Sequence, residues 1–289
     1  MPNTIATYTD TQIMHALLTH NFSEIGRSFV DDELTKIKAG AFYKAINLDT
    51  VSLPNLEEIR TAAFQDTSIT TLELNWSKIR FIGFDVFRVN FDILPENLSL
   101  PALTVLGSGA FAGTSAYRNT RLKSISLPIW TGTGSSEPGL STSTGIFNYC
   151  TALTSISAPL LTTLPSYCFQ YCSALEAVSF PKVASYSSNV FTGCTSLKKI
   201  DLGGDITSMS LSFLPAGAST RLEALILRGV TSVPTLGSSV FTSTQIALGN
   251  AYVYVPRSLL SNFQVASNWS TYSAQLRAIE DYPAVTSVS

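Results

Sequence analysis

Along most of the chain apolar residues return in a short alternating pattern of the form L-x-x-I-x-L, separated by small polar links. "LDTVSLPNLEEI" from Leu48, "LKSISLPIW" from Leu122, "LTSISAPLLTTL" from Leu153 and "LEAVSFPKV" from Leu175 carry it, and "LKKIDLGGDI" from Leu197 and "LEALILRGV" from Leu222 continue it. The alternations Val51/Leu53, Ile156/Ala158, Val178/Phe180 and Ile200/Leu202 have the two-residue period of a half-buried strand. Proline follows at Pro54, Pro101, Pro128, Pro159 and Pro181. It has no amide hydrogen to give to a ladder, so each strand is predicted to stop at the same place. A second apolar contact comes next, as at Leu56/Ile59 and Leu161/Leu164.

Phenylalanine closes each unit. Phe42, Phe64, Phe87, Phe111, Phe147, Phe169, Phe191, Phe213 and Phe241 are spaced by 22, 23, 24, 36, 22, 22, 22 and 28 residues. A single unit of this length cannot bury its own apolar side, whereas stacked units bury a continuous one. The prediction is one right-handed solenoid of about nine coils over residues 34–250, mostly β, with a parallel strand ladder and short irregular segments opposite it. Residues 1–33 are expected to cap the first coil. There Asp10 can start a helix with Ile13, Leu17 and Leu18 on one face. Residues 251–289 are expected to close the other end. "YVYV" at 252–255 reads as a last strand, and Pro256 opens a helix with Leu259, Leu260 and Phe263 inward. Trp269, Tyr272 and Leu276 complete the lid.

The links "FNYCTAL", "FQYCSAL" and "FTGCTSL" put Cys150, Cys172 and Cys194 in one column, where other coils carry Ala45, Thr67 or Asn90. Neighbouring coils lie about 4.8 Å apart, and a straight column at that pitch cannot converge on a tetrahedral zinc ion. A disulfide between adjacent rungs is within reach but strained by parallel Cβ vectors. Buried, reduced thiols acting as small hydrophobes are expected, with Cys168 an ordinary corner residue outside the column.

These residues, with "AGAF" at 39–42 and "GSGAF" at 107–111, resemble the BspA-like leucine-rich repeats of bacterial surface proteins over roughly residues 34 to 250. The closing stretch from Ala251 to Pro283 is similar to that of such proteins in gut Firmicutes and their prophages. The resemblance implies a leucine-rich repeat solenoid and a role as an adhesin for host matrix proteins or other bacterial surfaces. A structural or tail-associated component of a prophage particle is the alternative.

Composition narrows the partners. Charged residues make up 13% of the chain against a usual share of about 25%, and the net charge is −2. Nothing electrostatic draws the chain to nucleic acid or an anionic membrane, and no apolar run is long enough for membrane insertion. The opening "MPNTIATYTDTQIMHALLTHNF" has no Lys or Arg and no continuous apolar stretch, so it is not a secretory signal as it stands. An extracellular or cell-surface location is the first expectation, with a phage particle or the cytoplasm as alternatives. A monomer is expected.

No catalytic, cofactor or metal motif stands out. Gly132 and Gly134 lack the third glycine of a dinucleotide loop, and no Gly-Lys-Ser/Thr follows. Asp31, Asp32 and Glu33 lack the spacing of a calcium loop and read as a solvated turn. His15 and His20 read as structural or exposed. No cofactor is expected, and the chain reads as a non-enzymatic binding module. The outward strand positions Thr50/Ser52, Thr71/Glu73, Asn97/Ser99, Ser124/Ser126, Ser155/Ser157, Ala177/Ser179, Lys199/Asp201 and Ala224/Ile226 are small, polar and free of aromatic residues. A solvated sheet is the plain reading. If a protein or a glycan binds, the candidate contacts are Trp130 and Glu137 at the Gly/Ser-rich insertion 131–145, with Lys199, Asp201 and Arg228. That insertion reads as a surface loop, or as one that contacts a ligand.

Overall fold

The computed structural model describes residues 28–46, 48–132, 145–210, 213–216 and 220–286. The expected helix around Asp10, both histidines and Glu137 lie outside the described residues.

Each coil contributes a strand of three or four residues to a parallel ladder. Ser28–Val30, Thr50–Leu53 and Thr71–Leu74 form its first block, and Asn97–Ser99, Ser124–Ser126 and Ser155–Ser157 the second. Ala177–Phe180, Lys199–Leu202, Ala224–Leu227, Tyr252–Val255 and Leu276–Ala278 form the third. The pairing is in register at the alternating positions. Val51 faces Leu72, Leu98 faces Ile125, and Val178, Ile200, Leu225 and Val253 follow one another inward.

The prolines do more than stop the strands. Leu56, Leu103, Trp130, Leu161 and Val183 each donate their backbone N–H to the carbonyl three residues back: Leu53, Leu100, Leu127, Ala158 and Phe180. Each proline is therefore the second residue of a β-turn, where its fixed φ is already correct.

The second apolar contacts are themselves strands. Lys36–Ile37, Glu58–Ile59, Phe81–Ile82 and Val105–Leu106 pair in parallel, as do Thr163–Leu164 with Ser185–Tyr186 and Ser208–Met209 with Thr235–Leu236. Coils of one shape, stacked, place every amide one rung from a carbonyl, so the backbone satisfies itself between coils.

At the third corner the phenylalanines stack. Ring centroids from Phe42 through Phe64, Phe87, Phe111, Phe147, Phe169 and Phe191 lie 5.2–5.7 Å apart with nearly parallel planes. Their amides bond across coils too: Phe147 N–H donates to Cys168 O at 2.9 Å and Phe169 N–H to Val190 O at 3.0 Å. Residues two before and two after the phenylalanine turn the chain through left-handed φ, among them Ala62, Asp66, Asp85, Val89, Tyr149, Tyr167 and Tyr171.

The four cysteines are buried and unpaired, Cys168 included. Cys150, Cys172 and Cys194 donate their thiols to the carbonyls of Phe111, Phe147 and Phe169 at 3.3, 3.1 and 3.0 Å. Asn119, bridged to Cys150, occupies the same column, and its amide also donates to Phe111 O. The column thus binds the anchor carbonyls as well as filling space.

At the C-terminal end the helix Arg257–Val265 buries Phe263. Trp269, fully buried, stands edge-on to Phe241 and donates its indole N–H to Pro234 O at 2.7 Å.

Candidate functional site

Alternation leaves two outward columns along the ladder. In register they run Ser28, Thr50, Thr71, then Asn97, Ser124, Ser155, and Val30, Ser52, Glu73, then Ser99, Ser126, Ser157. The third block adds Ala177, Lys199, Ala224, Tyr252 and Ser179, Asp201, Ile226, Tyr254, Arg277. Asn97, Ser99, Ser155, Ser157 and Ala177 are exposed, and Ser124 donates its hydroxyl to Asn97 Oδ1 at 2.7 Å. Glu96–Lys123 at 2.7 Å and Glu176–Lys198 at 3.0 Å bridge adjacent coils along one rim. Such exposed pairs contribute about 0–1 kcal/mol each.

The far end of this face is closed. Ala224, Ile226 and Tyr254 form a small apolar cluster apart from the main core, with Tyr252, Ile279 and Val285 packed on it. Residues 279–286 are the cover. The ring of Tyr282 meets Tyr254 edge-on at 5.6 Å, and Arg228 donates to Asp201 Oδ2 at 2.7 Å and to the carbonyl of Thr286. The arginine therefore clamps a carboxylate on the ladder and the end of the cover with one guanidinium. The upstream columns carry no aromatic residue, as expected. The same columns continue into Tyr252 and Tyr254, which lie beyond the repeats read in the sequence, and Arg277 sits over the Tyr252 ring at 4.3 Å.

Three proposed contact residues change role. Trp130 is fully buried in the core, its indole N–H without a hydrogen-bond partner among the described residues, so it is no surface anchor. Asp201 is 2% exposed because the cover and Arg228 lie over it. Arg228 is occupied by that clamp, while Lys199 is half-buried beside Ala177 and Ala224 in the ladder. Arg228→Ala is expected to cost about 1–3 kcal/mol, because it strands a buried carboxylate. It should also speed amide exchange at Tyr282, Val285 and Thr286; unchanged exchange there would mean that the clamp does not hold the cover.

At the opposite end an open groove of about 600 Å³ is lined by Asp32, Glu33, Thr35, Asn55, Glu57, Lys78 and Arg80. Within it Arg80 pairs with Glu57 at 2.8 Å and Lys78 donates to Asn55 Oδ1. Asp31 Oδ1 accepts the amides of Glu33 and Leu34, so the acidic run is a side-chain-closed turn. Among the described residues no three His, Cys, Asp or Glu side chains are placed to hold a metal ion.

The sequence reading also passed over the corner residues around Tyr149 and Tyr171. Their rings stack at 4.4 Å with planes 22° apart. The signal was available as a spacing: Phe111 to Leu122 takes eleven residues, where Phe147 to Leu153 takes six.

The chain matches the BspA type leucine rich repeat region in six copies, over residues 19–131 and 140–248, and belongs to that family. No curated protein matches it. Among solved structures it is similar to the T. pallidum leucine rich repeat protein TpLRR, at 24% identity over 60% of this chain and 78% of that one, TM-score 0.45. A leucine rich cell surface protein from Faecalibacterium prausnitzii A2-165 is 19% identical over 86% of this chain, TM-score 0.44, and this chain spans 62% of it. The pneumococcal vaccine antigen PcpA is 14% identical over 87% of this chain and 77% of that one, TM-score 0.47. Among the described residues no helix is long and apolar enough to cross a membrane.

Proposed function

We propose that this chain is a non-enzymatic recognition module, secreted by or displayed on a bacterial cell, whose partner is a protein of a host matrix or of another bacterial surface. The observation that carries the reading is the outward face of the ladder from Thr50 to Ser179. It is a strip of mostly small hydroxyl and amide side chains, with Glu73 and Ala177 among them, open or half-open to solvent, while the same columns are covered from Asp201 onward. A strip without bulky side chains lets a partner approach the sheet closely over several coils. Family membership and the surface location it implies support the same reading. The insertion 131–145, with Glu137, is a second part of the proposed interface, because it makes this coil 36 residues long where the others take 22 to 28.

The test is surface plasmon resonance of the full chain against immobilised fibronectin, fibrinogen, collagen and laminin. Binding to one of them is expected, and a Ser126→Arg/Ser157→Arg variant should lose most of it with little change in thermal stability. Replacing 133–144 of that insertion by a short Gly/Ser link, which keeps Thr131 and Gly145 and the bonds they accept, should also leave stability nearly unchanged, since loop length carries a weak entropic cost, and should weaken binding. The reading is overturned if neither a matrix protein nor a panel of immobilised bacterial cells binds, or if both variants bind as the parent does.

A further inference from the structure

A second surface lies away from the ladder, at the phenylalanine corner of the central coils. The extra residues between Phe111 and Leu122, "GTSAYRNTR" from Gly113, form a bulge tied down at both feet. Gly113 N–H donates to Asn148 O at 2.7 Å and Asn119 N–H to Tyr149 O at 3.0 Å. Its tip is closed on itself, Thr114 N–H to Tyr117 O at 2.7 Å and Tyr117 N–H to Thr114 Oγ1 at 3.0 Å. The bulge thus holds Tyr117, 62% exposed, and the exposed Arg118 beside the coil that carries Tyr149.

Tyr149 and Tyr171 both occupy left-handed backbone, φ 56° and 60°. That conformation costs an L-residue about 1–2 kcal/mol. Their mutual stacking returns about 0.5–1.5 kcal/mol, so stability alone gives little reason to keep two tyrosines there. The next coil has Gly193 at this position, and a Cβ on it would come within 2.3 Å of Tyr171 Cδ1. The glycine makes room for the ring. The Asn119–Tyr149 backbone bond sets Arg118, the preceding residue, beside the coil that carries the stack. Burial and the neighbouring Tyr171 raise the Tyr149 phenol above its usual pKa, and the Arg118 cation opposes the rise.

We propose that Tyr117, Arg118, Tyr149 and Tyr171 form a carbohydrate site for a glycan bearing a carboxylate sugar. Four residues of this kind suit a ligand far smaller than a protein partner, whose interface takes about 20–30 residues a side. Three phenols and one guanidinium match one or two sugar rings. The C–H faces of the sugar lie against aromatic carbon, and its hydroxyls exchange hydrogen bonds with the phenols. Its carboxylate takes the planar fork of Arg118, which pairs such groups through two parallel bonds.

The experiment is saturation-transfer NMR on the full chain with 3′-sialyllactose and a hyaluronan tetrasaccharide, with lactose as the neutral control. At least one acidic saccharide should bind. Tyr117→Ala and Tyr171→Ala should each weaken it about tenfold or more. Arg118→Gln should reduce the acidic ligand to the level of lactose. Ser126→Arg/Ser157→Arg should leave saccharide binding unchanged, which separates this site from the ladder face. The proposal is overturned if neither acidic saccharide binds at millimolar concentration, if the tyrosine variants bind as the parent does, or if lactose binds equally well. It is overturned equally if a matrix protein that the saccharides do not displace is lost on Tyr117→Ala, since the patch would then be a protein contact.

Discussion

Phe169→Ala is expected to destabilise the protein by about 3–5 kcal/mol, the cost of lost burial plus a cavity that close-packed neighbours only partly fill. The ring is fully buried and touches three others: Phe147 at 5.5 Å, Phe191 at 5.6 Å and Phe180 at 5.9 Å. Its carbonyl also accepts the thiol of Cys194, so a shift of the corner disturbs the cysteine column. In a solenoid each coil touches only its neighbours, and the damage should localise at that interface. Urea unfolding followed by circular dichroism should therefore show a lower midpoint and a broadened or split transition, as the coils on either side uncouple. A loss below about 1 kcal/mol would mean that the phenylalanine column does not hold the stack, since full truncation of a core phenyl does not come so cheaply.

That column was legible because it obeys a period. Phenylalanine at 22 to 24 residues in six of eight intervals, with a two-residue alternation between, leaves little choice of architecture. The second strands were less so. A segment such as Glu58–Ile59 or Val105–Leu106 has one inward residue, too few to show alternation, and becomes a strand only because an equivalent segment, Phe81–Ile82, lies one coil away. The surfaces were harder still. Trp130 beside a polar insertion looked like an anchor, yet its burial is fixed by the turn from Leu127, which points the indole inward. Ile226 was read correctly as an outward strand position. Its cover comes from residues 279–286, more than fifty residues on, and no local pattern records that contact. Tyr149 and Tyr171 sit where stacking asks for a backbone angle and not for a side chain, so periodicity says nothing about them.

Stability is expected to fall steeply above about pH 9, because the buried thiols resist ionisation. Burial pushes Cys194 up to about 12, and raises Cys150, Cys168 and Cys172 as well, the last two further through neighbouring thiols. In the unfolded chain a thiol ionises near pH 8.5. Above that value the folded state holds protons that the unfolded state has released, so rising pH favours unfolding; below it both states are protonated and the thiols contribute no slope. Each thiol then adds about 1.4 kcal/mol per pH unit, and four together about 5 kcal/mol per unit until the folded thiols themselves ionise. Tyr186, raised by burial, adds to the loss at still higher pH. Urea midpoints measured from pH 7 to 10.5 should be nearly level up to about pH 8.5 and then drop. A Cys150→Ala/Cys172→Ala/Cys194→Ala variant will be less stable at neutral pH because of its cavities, but its alkaline slope should be about a quarter of the parent's, the share of the one remaining thiol. Iodoacetamide should label the folded parent at pH 8 only as fast as the coils open, since the thiolate is the reactive form. A parent whose slope matches the triple variant, or whose cysteines label as fast as free thiols while circular dichroism is unchanged, would mean that the column is open to solvent.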